Sequence, residues 1–382
     1  MKKLKVGIIG VGRRGRMPIN HLPNDLAELV MIAESDPATK ADFEAEFPHV
    51  RTTTDWKEVV QDSEVEAIFV MVRDYLHEEF ALAALEAGKD VYLEKPMAIT
   101  IEGCDRLLET AWRTGRKLYV GHNMRFMTFV NKMRELVLSG IIGNIQTVWV
   151  RHFVNYGSCY FRHWCAEQQN CTGLLLQKGA HDIDIIHYIT GSYTKRVSAM
   201  GRLSVYNRTA DRLAEDELPD RNISFTPECW PPLEVTKLSS KLDIEDHNMV
   251  MMQLENGIQA VYMHCMYAPD SERNYTFIGD RGRIENVGDY REDAQIHVWT
   301  QRGSRQKPDI VYNLQGAGGG HGGSDPKIVR NFVKYCLGLE KPLTDPVAAR
   351  NAVAVGVLGH KSARNGSIPF DIPPPPECKG IF

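Results

Sequence analysis

The sequence has no C-x-x-C pair, no long run of one charge, no internal repeat and no apolar run long enough to span a bilayer. Its eight cysteines are spread from Cys104 to Cys378, which excludes a zinc knuckle or a small disulfide scaffold and suits free thiols in a reducing compartment. Cys159, Cys165 and Cys171 fall at six-residue steps, a spacing that no helix or strand period brings onto one side, so no metal site is expected. Forty-nine acidic against 45 basic side chains leave a formal net charge of −4, too small to require a nucleic-acid partner. The apolar stretch beyond Met1-Lys2-Lys3 is a few residues long and ends in glycine, too short for a signal peptide or a membrane span. A soluble, cytoplasmic chain is the expectation.

What is present is an ordinary globular composition, 43% apolar and 25% charged over 382 residues, enough for two or three domains at roughly 100–200 residues each. The first third alternates short apolar runs with helical patterns. Leu4 to Gly10 reads as a buried strand followed by a glycine turn and a helix, and Leu29 to Asp36 as a second strand. Asp36-Pro37 then supplies an N-cap with proline at the first helical position, opening a helix to about Phe47. Further strands are expected at Val65–Val72, Asp90–Lys95 and Lys117–Gly121, separated by helices around His77–Ala87 and Thr100–Thr114 with Gly88 and Gly115 as stops. Strands buried on both faces and linked by helices predict an α/β domain with a doubly wound parallel sheet over 1–122.

From 123 to 382 the pattern changes to α+β with a large, mainly antiparallel sheet. A strand at Ile145–Phe153 is followed by an irregular aromatic stretch and one helix from about Gly173 to Thr190. His247–Leu254 and Ile258–Tyr267 flank Asn256-Gly257, a strong hairpin signal, and more strands follow at Asn274–Ile278, Arg283–Val287 and Gln295–Thr300. Residues 206–241 read as a polar excursion or lid, and Gly316–Gly323 as a loop that closes on a site or simply lies on the surface. Amphipathic strands bearing Met249, Met251, Tyr262 and Met263 leave a sheet face to be covered, so a homodimer or homotetramer is expected.

Gly10-Val11-Gly12-Arg13-Arg14-Gly15 is G-x-G-x-x-G directly after a strand and opening a helix, and Asp36 ends the next strand 21 positions beyond Gly15. That combination is the dinucleotide-binding fingerprint, with glycines for the turn and the close approach of pyrophosphate, positive potential at the helix start, and a carboxylate for the adenosine ribose. A carboxylate at Asp36 repels a 2′-phosphate and favours NAD. Arg13, Arg14 and Lys40 are the basic groups that keep NADP open. A second signal, Glu94-Lys95-Pro96, lies at the carboxyl end of a parallel strand, where such sheets bind ligands.

With these residues the sequence resembles the Gfo/Idh/MocA oxidoreductases, relatives of glucose-fructose oxidoreductase and inositol 2-dehydrogenase. The resemblance rests on the Gly10–Gly15 loop, His77 in Asp74-Tyr75-Leu76-His77, the run Ala84 to Pro96, Gly121 to Phe126 with Arg125, and Lys178-Gly179-Ala180-His181-Asp182-Ile183-Asp184. It implies a nicotinamide-dependent dehydrogenase acting on a CH–OH group of a sugar, glycoside or cyclitol. It also implies that Lys95 hydrogen-bonds the reacting hydroxyl, that His181 is the acid/base, and that Glu94 and His77 belong to the cofactor side and Arg125 to the substrate side. The aspartate frequent four positions before that histidine is Gln177 here, and Lys178 beside it resembles a subset of the family. Physical reasoning agrees on the division of labour, since an imidazole with a pKa near about 6.5 exchanges protons at neutral pH while a lysine near about 10.4 remains a cation. Gln177, His181 and Asp184 are four and three apart, which on one helix puts them on one face. His152, Tyr160, His163 and Trp164 are weaker pocket candidates. Two rivals stay open: an NAD-dependent glycosidase that oxidises its substrate transiently, and a catalytically silent sugar-sensing regulator of the same fold.

Overall fold

The computed structural model describes residues 2–214, 217, 230–289, 293–303, 307–315 and 320–377. The chain forms two compact units. The first holds Met1–Phe126, Gly318–Arg350 and Pro374–Phe382, so the chain returns twice to this unit after the expected boundary at residue 122. The second holds Met127–Ala317 and Asn351–Pro373.

In the first unit the short apolar runs become parallel strands β1 (Leu4–Ile9), β2 (Ala27–Ala33), β3 (Arg51–Thr53), β4 (Ala67–Val70), β5 (Asp90–Leu93) and β6 (Leu118–Val120). Their order, β3-β2-β1-β4-β5-β6, reverses direction at β1, where a doubly wound sheet opens a ligand crevice at its carboxyl edge. β4 is buried along its whole length, as expected of a strand covered on both faces. Ile328, Val329, Phe332 and Val333 of the late helix Gly320–Cys336 complete this core, with the Phe332 ring edge-on to Phe69 and Tyr92. Nothing in the sequence pattern marks that segment as belonging with the first sheet.

The second unit is built on β7 (Ile145–Phe153), β8 (Thr194–Arg202), β9 (His247–Leu254), β10 (Gln259–Cys265), β11 (Glu272–Gly279), β12 (Arg283–Val287), β13 (Gln295–Trp299), β14 (Ile310–Asn313) and β15 (Phe370–Asp371). These form one sheet in the order β14-β13-β12-β11-β7-β10-β9-β8-β15. Among the described strands of this sheet only β7 and β10 pair in parallel, so it is mixed and mainly antiparallel. The hairpin at Asn256-Gly257 forms as expected, with Gly257 at φ +90°. One face packs under the helices Thr128–Leu138 and Gly179–Thr190. On the other, Trp149, Met200, Met249 and Met251 are each more than half exposed. Tyr262 is not on that face. Adjacent strand residues point to opposite sides, and Tyr262 is fully buried on the inner one.

Two other expectations are corrected. The single helix expected from Gly173 to Thr190 is two, Leu174–Gln177 and Gly179–Thr190, with Lys178 between them. Gln177 therefore does not share a helix with His181 and Asp184. The helix after the glycine loop is only Arg16–His21, six residues, so the positive potential at its start is modest. Of the expected excursion over 206–241, residues 215, 216 and 218–229 lie outside the described residues, as do 316–319 of the glycine-rich loop.

Candidate active site

Two polar constellations stand out, one in each unit. The first surrounds the glycine turn after β1. A Cβ at Gly10, which has φ +87°, would come within 2.7 Å of the Met71 carbonyl oxygen, and one at Gly15 within 2.1 Å of the Gly10 oxygen. Gly12 meets nothing within 4 Å. The outer glycines are thus required by the turn itself, and Gly12 leaves an open backbone surface such as a pyrophosphate needs.

The carboxylate nearest this turn is Glu34, one residue past β2. Its Oε2 accepts the Val11 N–H at 2.9 Å and its Oε1 the Asp36 N–H at 3.0 Å. Asp36 uses Oδ2 to cap the helix Pro37–Glu46, accepting from the Thr39 backbone at 3.0 Å and the Thr39 hydroxyl at 2.6 Å. The Asp-Pro cap forms as expected and uses the Oδ2 oxygen of Asp36. Glu34 and Asp36 stand 19 and 21 positions beyond Gly15, a spacing that does not choose between them. Arg14 does not face outward toward a phosphate; its Nε donates to Glu94 Oε1 at 2.6 Å and its Nη1 to Asp325 Oδ2 at 3.0 Å. Arg13 is exposed, and Lys40 pairs with Glu44 on its own helix.

Lys95 follows β5, with its backbone N–H on Glu94 Oε2 at 2.9 Å. Burial pushes the Glu94 carboxyl up, but Arg14 and Lys95 outweigh it and hold it below the usual carboxylate range. His77 is fully buried and presents its ring nitrogens to the carbonyls of Pro96 (2.6 Å) and Val72 (3.1 Å). It therefore ties the Glu-Lys-Pro turn to the end of β4 instead of offering a ring nitrogen to a cofactor. Burial lowers its pKa. Arg125, also expected at a ligand, is buried with Nη1 on the Leu343 carbonyl at 2.9 Å.

The second constellation centres on Asp182, one helical turn after the break at Lys178. Its Oδ2 accepts from the Tyr262 hydroxyl at 3.0 Å, its Oδ1 from Arg273 Nε at 3.1 Å, and Oδ1 also from the Tyr275 hydroxyl. His152 Nδ1 lies 3.3 Å from Oδ2. Burial opposes the charge on Asp182, yet Arg273 and these hydrogen bonds hold its pKa well below the carboxylate range. Burial and the Arg273 cation push the His152 imidazole down to about 3, so it is neutral. Tyr262, Arg273 and Tyr275 come from β10 and β11, 80 to 93 positions from Asp182, and only the strand register brings them together.

Beside this hub the Lys178 ammonium donates to the Tyr156 hydroxyl at 3.3 Å and lies 5.3 Å from the ring centres of both Tyr156 and Tyr160. Burial first, and then Arg273, push its pKa down to about 8. His181, Asp184 and Gln177 are all buried in this unit. His163 and Trp164 stack loosely, and His163 Nδ1 caps a 3₁₀ turn. No group of three or more His, Cys, Asp or Glu side chains among the described residues is arranged to hold a metal ion. No described helix is long and apolar enough to cross a membrane.

Residues 4–122 match the profile of the oxidoreductase family with an NAD-binding Rossmann fold, and residues 134–372 that of the family's C-terminal alpha/beta domain. The chain belongs to the Gfo/Idh/MocA oxidoreductase family. It is similar to levoglucosan dehydrogenase of Pseudarthrobacter phenanthrenivorans, 24% identical over 334 residues, spanning 82% of this chain and 80% of that one. It is 32% identical to inositol 2-dehydrogenase 2 of Saccharopolyspora erythraea over 209 residues, 52% of this chain and 59% of that enzyme. Among solved structures, a levoglucosan dehydrogenase in complex with NADH superposes with a TM-score of 0.77 at 21% identity, covering 98% of this chain and 100% of that one, which establishes the shared fold.

Proposed function

We propose that this oxidoreductase transfers a hydride between NAD and a carbinol carbon of a sugar, glycoside or cyclitol. The observation that carries the reading is Lys95 at the carboxyl edge of β5, on a turn that Arg14 ties directly to the glycine loop. The open surface at Gly12 and the carboxylate of Glu34 fit a dinucleotide, with Glu34, in preference to Asp36, taking the adenosine ribose hydroxyls. When bound, the nicotinamide supplies the hydride chemistry. Lys95 donates to the reacting hydroxyl oxygen and stabilises the negative charge that develops there, while His181 takes the hydroxyl proton on an imidazole nitrogen. Gln177, Lys178 and Asp184 are the side chains offered to further hydroxyls, and the rings of Tyr156 and Tyr160 suit the apolar face of a pyranose.

A carbohydrate and cyclitol screen followed at the nicotinamide absorbance tests the reading. Substrate-dependent NADH formation supports it; hydrolysis without net NADH identifies the transient-oxidation glycosidase, and binding without turnover identifies a sensor. Glu34→Ala is expected to weaken NADH binding about tenfold or more, because a charge-assisted hydrogen bond contributes about 1.5–3 kcal/mol. Asp36→Ser should change NADH affinity far less. Fluorescence titration decides between them, and equal losses would return the ribose to Asp36.

The exposed face bearing Trp149, Met200, Met249 and Met251 is covered, in this reading, by the same face of a second copy in a cytoplasmic homo-oligomer. Light scattering should give a dimer or tetramer at micromolar concentration, and Met251→Glu should shift it toward monomer. A monomeric wild type would overturn this.

A further inference from the structure

Arg14 occupies the last variable position of the glycine motif, where its carbonyl accepts the Met17 N–H at 3.0 Å. Its guanidinium spans two carboxylates that are both nearly sequestered from solvent, Glu94 through Nε and Asp325 through Nη1 and Nη2 (3.0 and 3.3 Å). Asp325 is further held by Asn123 Nδ2 at 2.9 Å and by His321 Nδ1 at 3.2 Å. A planar fork that reaches two anions at once fixes both in place, which a lysine point charge does less well.

We propose that Arg14 is a positioning residue for Lys95: by holding the Glu94 carboxylate between the glycine loop and Asp325, it keeps that carboxylate from capturing the neighbouring Lys95 ammonium. The proposal rests on the reading of Lys95 as the group that meets the substrate hydroxyl. Arg14 and Lys95 compete for one anion. Glu94 interacts with both cations, Arg14 more strongly than Lys95. If Arg14 loses its charge, Glu94 turns to Lys95, and the ammonium is both raised in pKa and drawn toward its own turn. The titratable groups around that turn in this unit include Arg14, Glu94, Asp325, His321, His77 and Tyr92. His77 faces the carbonyls of Pro96 and Val72, and Glu94 is the carboxylate that adjoins Lys95 in the chain.

The test reads Lys95 directly and needs no substrate. Lysines are reductively methylated with 13C-formaldehyde, the Lys95 signal is assigned by its loss in Lys95→Arg, and its titration is followed by NMR. Arg14→Gln should raise the Lys95 midpoint by about one pH unit, in the range that a neighbouring charge produces. Arg14→Lys should leave it near the wild-type value, and Arg14→Gln combined with Glu94→Gln should bring it back. Asp325→Asn removes negative charge from the same cluster and should move the midpoint down, a sign reversal that loss of packing alone does not produce. It also serves if Arg14→Gln does not fold. A midpoint that stays put in folded Arg14→Gln, or that moves up in Asp325→Asn, overturns the proposal. Turnover of Lys95→Met reports separately on whether Lys95 acts in the reaction at all.

Discussion

Lys95→Met is expected to bind NADH with nearly wild-type affinity and to turn over about 10²–10³-fold more slowly. Binding survives because the cradle is made elsewhere, by the open backbone at Gly12 and the carboxylate of Glu34, and because the substitution leaves the Lys95 N–H on Glu94 in place. Turnover falls because the cation beside the developing alkoxide is lost while an apolar side chain of similar length fills the same space. Stopped-flow measurement of hydride transfer with the best substrate from the screen, alongside NADH titration, separates the two effects. Equal losses in affinity and rate would mean that Lys95 serves the cofactor, and an undiminished rate would remove it from the reaction.

The parts of this molecule that were legible in sequence are those in which one local signal has one local cause. β1, β4 and β5 are short buried runs, the glycine turn follows from its spacing, and Asp36-Pro37 caps a helix. Asp36 also shows the limit of that logic. One carboxylate satisfied two rules, capping and ribose spacing, and only the course of the chain after β2 shows that Glu34 faces the loop while Asp36 turns into its helix. The break at Lys178 was hidden because the apolar period continues through it, from Leu174–Leu176 to Ile183. The Asp182 hub was out of reach for a different reason. Its partners come from β10 and β11, and knowing that Tyr262, Arg273 and Tyr275 meet there requires the sheet register, which no period in the sequence encodes. The face of Tyr262 was within reach, since strand alternation already separates it from Met263.

His181→Ala should reduce turnover by about 10²–10⁴-fold and remove the limb of the pH profile that the imidazole contributes. The pH profile distinguishes it from Lys178, whose ammonium, brought down to about 8 by burial and by Arg273, is charged below that pH and neutral above it. If Lys178 assists as a cation, the rate of the wild type falls as pH rises through about 8, and Lys178→Met flattens that alkaline limb without touching the acid one. If Lys178 is the base, the sign inverts: activity rises through about 8 and Lys178→Met abolishes the rise. His181→Ala then retains turnover. Gln177→Glu sharpens the choice. Where the new carboxylate reaches His181 it favours the imidazolium and carries the acid limb to higher pH, an effect that Gln177, which cannot ionise, does not produce. An acid limb that stays in place in Gln177→Glu and survives His181→Ala would move the proton path to Lys178, whose place between Tyr156 and Tyr160 already gives it hydroxyl and ring contacts.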